Sequence, residues 1–114
     1  MSHLSILPTV LRDADGLAAT LASLDLPWRH GGELVGFGGE RQAVTLQVQL
    51  KDGQCLGWAR QDDGSLALVG DLQRISRSTA LQRLLGRITR AYAARAALQD
   101  AGLALPTASI ELRV

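Results

Sequence analysis

Residues 43–50, Ala-Val-Thr-Leu-Gln-Val-Gln-Leu, alternate apolar and polar side chains over a full strand length, and Lys51-Asp52-Gly53 follows at once. Strict alternation puts Val44, Leu46, Val48 and Leu50 on one face and Thr45, Gln47 and Gln49 on the other. A strand with one wet face belongs to an antiparallel sheet covered on one side. Asp-Gly tolerates positive φ, so the chain is predicted to turn there and return through residues 54–61 as the second arm of a hairpin. Asp62-Asp63-Gly64 repeats the turn chemistry, and residues 65–71 read as the third strand of a meander.

The length of the first turn decides which way the return strand faces. A two-residue turn at Asp52-Gly53 sets Leu50 opposite Cys55 and places Leu56 and Trp58 on the wet face. There they would form an exposed apolar partner site. A three-residue loop, Lys51-Asp52-Gly53, sets Val48 opposite Leu56 and Leu46 opposite Trp58, and both enter the core. A slip of one residue exchanges the two faces. Burying an indole gains more than burying a thiol and a methyl, which favours the second register.

The flanking segments complete a β-α-β-β-β-α-β order. Residues 2–11 read as a strand with Leu4, Ile6 and Val10 on one face. Pro8 has no N–H to give a ladder, so this strand belongs at an edge or carries a bulge. Residues 13–25 read as a helix capped by Asp13, with Leu17, Leu21 and Leu24 on one stripe, ended by Pro27. Residues 78–103 read as the long helix. Ser78 is its cap and Leu81, Leu84, Leu85, Ile88, Tyr92 and Leu98 its apolar stripe, with Gly102 as the residue that stops it and Leu103 folding back. Residues 108–114 alternate again and are predicted to close the sheet. The expected fold is α+β: a single, mainly antiparallel sheet with two helices packed on one face. All 114 residues are expected to form one domain, since this length buries enough surface to hold a core unaided.

Five glycines fall between residues 31 and 39, a composition that invites a phosphate-binding reading. That chemistry needs backbone N–H groups converging at a helix N-terminus. Here the glycines lead into a strand, and no Lys-Ser or Lys-Thr follows, so they read as a flexible or bulged connection. Phe37, the large apolar residue among them, is expected to anchor it to the core.

Catalytic and metal sites fare no better. His3, His30 and Cys55 share no ligand spacing. Asp52, Asp62 and Asp63 are turn residues, and Asp71 ends a strand where it can cap the next segment. Cys55 reads as a small core residue, and a lone cysteine forms no internal disulfide. No catalytic residue, metal or cofactor is therefore assigned. The net charge of +1 argues against nucleic acid as the principal partner. No run approaches a membrane span, and the opening residues lack the features of a secretory signal. A cytoplasmic protein is expected.

The basic residues are nearly all arginine, with Lys51 the one lysine. Arg83, Arg87 and Arg90 share one flank of the long helix, a solvated face or a contact for an anion or RNA. The absence of interleaved aromatic residues weakens the single-strand RNA reading. Arg95, seven residues after Ile88, interrupts the apolar stripe. It either snorkels from the core edge or meets an acidic partner.

Several segments occur together in order: Met-Ser-His-Leu-Ser at the start, Gly36-Phe37, Leu-Gly-Trp-Ala-Arg at 56–60, Leu-Val-Gly-Asp-Leu-Gln at 68–73, Ile-Thr-Arg-Ala-Tyr-Ala-Ala-Arg from 88, and Ser-Ile-Glu-Leu-Arg-Val at 109–114. In these the chain resembles a conserved hypothetical chloroplast reading-frame family of cyanobacteria and algal plastids, a domain of unknown function. The resemblance implies an oxygenic phototroph, in cytoplasm or plastid stroma, and no established enzymatic role. Its gene neighbourhoods, with small uncharacterised proteins and an AAA-type ATPase, imply an assembly or regulatory complex. This chain has Arg74-Ile75 where the family has an aromatic pair, has Ala94 where it has a second tyrosine, and lacks its Arg-Trp tail. Together these readings describe a non-enzymatic interaction module with a protein partner or a second copy of itself as a homodimer. Trp58, Arg95 and Arg74 are its candidate partner contacts.

Overall fold

The computed structural model describes residues 4–36, 38–51 and 53–104. Its centre is the predicted meander. Strands β5 (Leu46–Gln49), β6 (Cys55–Arg60) and β7 (Leu66–Asp71) run antiparallel. Strand β1 (Leu4–Leu7) pairs with β7 and β2 (Trp28–His30) with β5, giving the order β1-β7-β6-β5-β2. Pro8 follows β1 at the sheet edge, where its missing N–H costs no ladder bond.

The three-residue loop sets the register. Leu50 accepts and donates across to the far arm: its N–H reaches the Gln54 carbonyl at 2.7 Å, and Gly53, at φ +87°, donates back to the Leu50 carbonyl at 3.0 Å. Leu46 therefore opposes Trp58 and Val48 opposes Leu56. Trp58 is 1 % exposed. The favoured register stands, and Trp58 is lost as a surface contact because its indole fills the core.

That core lies between one face of the sheet and the helices. Leu17, Ala18 and Leu21 of α1 (Ala14–Ser23) meet Leu46, Val48, Leu56, Trp58, Leu66 and Leu68 of the sheet. Asp13 caps α1 as its residue type predicts, its carboxylate accepting from the Asp15 N–H at 3.1 Å. Ile75, from the short helix α2 (Leu72–Arg77), and Leu81 and Ile88, from α3 (Thr79–Ala104), close the same core. Ser78 Oγ accepts from the Leu81 N–H at 3.1 Å, as expected of a cap. Gln82 of α3 donates to the carbonyls of Ile75 and Ser76, satisfying the end of α2. Gly102 does not stop α3. The backbone remains helical through Ala104, since a glycine in a helix interior costs only about 1 kcal/mol.

The opposite face of the sheet carries a second, smaller cover. The glycine-rich stretch is not a plain connection: it holds β3 (Glu33–Val35), which pairs with β4 (Arg41–Ala43) as a separate two-stranded hairpin. Leu34 and Val44 pack on Ala59 and Val69, with Leu4 and Cys55 alongside. Val44 is thus on the opposite face from Leu46, contrary to the simple alternation. The chain leaves β4, its Val44 N–H bonding to Gly32 and its Thr45 N–H to Trp58, before β5 begins at Leu46.

Two further expectations change at the amino end. Strand β1 stops at Leu7, with Ile6 50 % exposed and Val10 79 % exposed. Past Pro8 the chain is held instead by Thr9, whose hydroxyl donates to the Leu66 carbonyl, so Val10 points outward. Phe37, Asp52 and the predicted strand at 108–114 lie outside the described residues.

Candidate functional site

Two surfaces combine exposed chemistry with a defined scaffold. The first is the distal half of α3. Leu81 and Ile88 are buried, and Leu84, Leu85 and Tyr92 are half-buried on the same core. Tyr92 is where that attachment ends. Its hydroxyl accepts from the N–H groups of Arg12 at 3.2 Å and Asp13 at 2.9 Å, joining α3 to the start of α1. From Ala93 to Ala104 the helix runs on for about 18 Å. Arg95 is exposed there and Leu98 is 36 % exposed. The principal extents, 54 × 30 × 20 Å, reflect this elongation.

Arg83, Arg87 and Arg90 are all exposed on α3. A Cβ on Gly86 would lie 2.9 Å from Arg90 Nη1, so this guanidinium folds back along the helix toward the preceding turn. Among the described residues no carboxylate pairs with any of the three. Arg74 is on α2, not beside Arg95, so the candidate partner contacts do not form one patch.

The second surface is a cleft of about 620 Å³ on the hairpin side of the sheet. Leu4, Leu34 and Cys55 give it apolar walls. Gly53 and Gln54 of the β5–β6 loop, and Val35 and Gly36 of the small hairpin, form its rim. Arg29 and Gln47 stand on one side, Asp71 and Arg74 on the other. Asp71 is the cap of α2: its Oδ1 accepts from the N–H groups of Gln73 at 3.0 Å and Arg74 at 3.4 Å. Cys55 and Asp71 both line the cleft, while His30 lies outside it, edge-on to Trp28 with ring centroids 4.9 Å apart.

Gln47, like Val44, departs from what alternation predicts. It is 4 % exposed. Its Nε2 donates to the Gly31 carbonyl at 2.8 Å and its Oε1 accepts from Arg29 Nη2 at 3.4 Å. Gly31 and Gly32, at φ +69° and +89°, turn the chain over it, and a Cβ on Gly32 would meet Gln47 Nε2. The glycines therefore shape the wall that seats a buried amide. Glu40 fixes the rim on the other side, its Oε1 accepting from the Leu4 N–H at 3.0 Å. The Glu40 side chain passes over Gly36 so closely that a Cβ there would collide with it.

Arg29, Gln47 and Gln54 carry no sequence signal of their own, and a cleft between two sheets cannot be read from either alone. Among the described residues no group of three or more His, Cys, Asp or Glu side chains is placed to hold a metal ion. No helix of the described residues is long and apolar enough to cross a membrane. The family model described as protein of unknown function (DUF1257) matches residues 20–104. No curated protein and no solved structure matches the chain.

Proposed function

Starting from the chain's membership of the family described as protein of unknown function (DUF1257), we propose that it is a non-enzymatic protein-interaction module that docks a partner through the distal half of α3. The observation that carries this reading is the helix beyond Tyr92. An isolated helix of this length is marginal in water, and most helical stability in proteins comes from packing on one face. Here the seam that is buried at Leu81 and Ile88 continues past the body through Arg95 and Leu98. A partner surface that is apolar with an acidic group would satisfy both residues, since a desolvated guanidinium seeks a bidentate carboxylate. Assembly or regulation in an oxygenic phototroph, in cytoplasm or plastid stroma, is the setting proposed from the family resemblance.

The test is a tagged pull-down from the native host, comparing the wild-type chain with the doubly substituted R95E/L98E form. A stoichiometric protein retained by the first and lost by the second supports the reading. Equal recovery by both overturns it. Light scattering on the purified chain separates a foreign partner from a homodimer.

A second reading rests on Arg83, Arg87 and Arg90, exposed along one flank and without an ion pair among the described residues. As an anion or RNA contact they would give binding that weakens steeply with salt. Failure to be retained on heparin at low ionic strength removes it.

A further inference from the structure

The cleft under the β3–β4 hairpin has chemistry that the docking helix does not use. A buried polar side chain costs free energy unless it is fully bonded. Gln47 is such a group, and both ends of its amide are engaged, one by the Gly31 carbonyl and one by Arg29. The bond to Gln47 orients a guanidinium that is itself exposed at the cleft. Glu33, the nearest acid in sequence on the same wall, is directed to Arg41 at 3.7 Å. On the far side, Arg74 donates only its backbone N–H to Asp71, and among the described residues its guanidinium has no ion pair.

The sheet order gives the spacing of the two strands from which these cations extend. Arg29 belongs to the edge strand β2, while Arg74 follows β7. Three strand spacings lie between β2 and β7, about 14 Å. Arginine side chains entering from both sides leave room for a ligand of few atoms between them. The volume falls within the range of small-molecule sites, roughly 300–1,000 Å³. Apolar walls with a few convergent polar groups are the usual composition of such sites.

We propose that this cleft binds a small organic polyanion, with carboxylate or phosphate groups held by Arg29 and Arg74 and a carbon skeleton lying against Leu4, Leu34 and Cys55. The guanidinium fork suits both oxyanions bidentately. Gln47 is a positioning residue: it reaches the ligand through Arg29. Asp71 stands on the Arg74 side of the cleft, so its carboxylate opposes an anion there and leaves Arg29 as the stronger of the two anchors.

Cys55 reports on occupancy. It is the single cysteine of the chain, and it lines the cleft partly exposed. Alkylation by neutral iodoacetamide is followed with citrate or glycerol 1-phosphate present, at constant ionic strength. We expect saturable protection, several-fold in rate, by at least one of the two probes, and which one protects identifies the oxyanion. Arg29→Ala should abolish protection, with circular dichroism reporting whether loss of its bond to Gln47 disturbs the fold, and Arg74→Ala, whose guanidinium bonds no buried group among the described residues, should abolish it as well. Arg29→Lys should retain it weakly. Labelling that ignores both probes overturns the proposal, as does protection that survives in Arg29→Ala and in Arg74→Ala. The R95E/L98E form should be protected like the wild type, so this test and that of the docking helix fail independently.

Discussion

Tyr92 and Asp13 are bound to each other through one hydrogen bond, the phenol oxygen accepting from the Asp13 backbone N–H at 2.9 Å. The same oxygen accepts from the Arg12 N–H, so one side chain of α3 satisfies two donors at the entrance to α1. Tyr92→Phe keeps the ring and removes both acceptors. Both N–H groups are open to water, so we expect a loss of about 0.5–1.5 kcal/mol in chemical denaturation, with the slope unchanged.

Gly57 has no room for a side chain. A Cβ there would lie 2.6 Å from Val44 Cγ1 and 3.0 Å from Leu34 Cδ1. Gly57→Ala should cost about 1–3 kcal/mol by overpacking. Val44→Ala in the same chain clears the space, so the double variant should be less destabilised than the sum of the singles. A double-mutant cycle in urea measures that difference, and an additive result means that the hairpin does not rest on Gly57.

Trp58 is buried between the sheet and the helices. Trp58→Ala should cost about 3–5 kcal/mol, a large part of the stability of a domain this size. Loss of the cooperative thermal transition is the expected readout. A small effect would place the indole at the surface and with it the other hairpin register.

Asp63 gives a pH prediction. Its Oδ1 accepts from the Ser65 hydroxyl at 2.6 Å and the Ser65 N–H at 2.9 Å, with the Arg12 charge nearby. These interactions, the hydroxyl first, hold the carboxyl below its usual value. A folded-state value below the unfolded one means that the folded state favours the ionised form. The contribution is present above the unfolded value and disappears as pH falls through the folded one. Ser65→Ala should raise the Asp63 value, seen by NMR titration of its carboxyl carbon, with little change in stability at neutral pH because the group is on the surface.

The parts of this fold with long, regular patterns were legible in the chain itself. Alternation over 43–50, the Asp-Gly turns and the heptad-like spacing of Leu81, Leu84 and Ile88 each repeat often enough to identify an element. The capping roles of Asp13, Ser78 and Asp71 follow from residue type and place. Strands β2, β3 and β4 have three residues each, too few to show a period. Gln47 reads as solvated because nothing local announces that Gly31 and Gly32 fold over it. Val44 has the right parity for the main core and the wrong location, since the chain changes sheets one residue later. The candidate cleft was invisible for the same reason: Arg29, Gln54 and Arg74 are distant in sequence and meet only through the sheet order. Spacing puts Arg95 inside the apolar stripe, and its exposure comes from the packed core reaching no further along the helix than Tyr92, which spacing does not show.

The unequal size of the two apolar clusters has a dynamic consequence. The helical side joins α1, α2 and α3 to the sheet through many large side chains, whereas the β3–β4 hairpin is fastened by Leu34 and Val44 over small neighbours, Gly57 and Ala59. Partial opening of a structure follows the segments with least buried surface. Amide protons of Leu34 and Val44 should therefore exchange with solvent ahead of those of Leu56 and Val69. The hairpin can lift while the meander stays folded, and the rate at which it breathes sets how quickly anything enters or leaves the space beneath it.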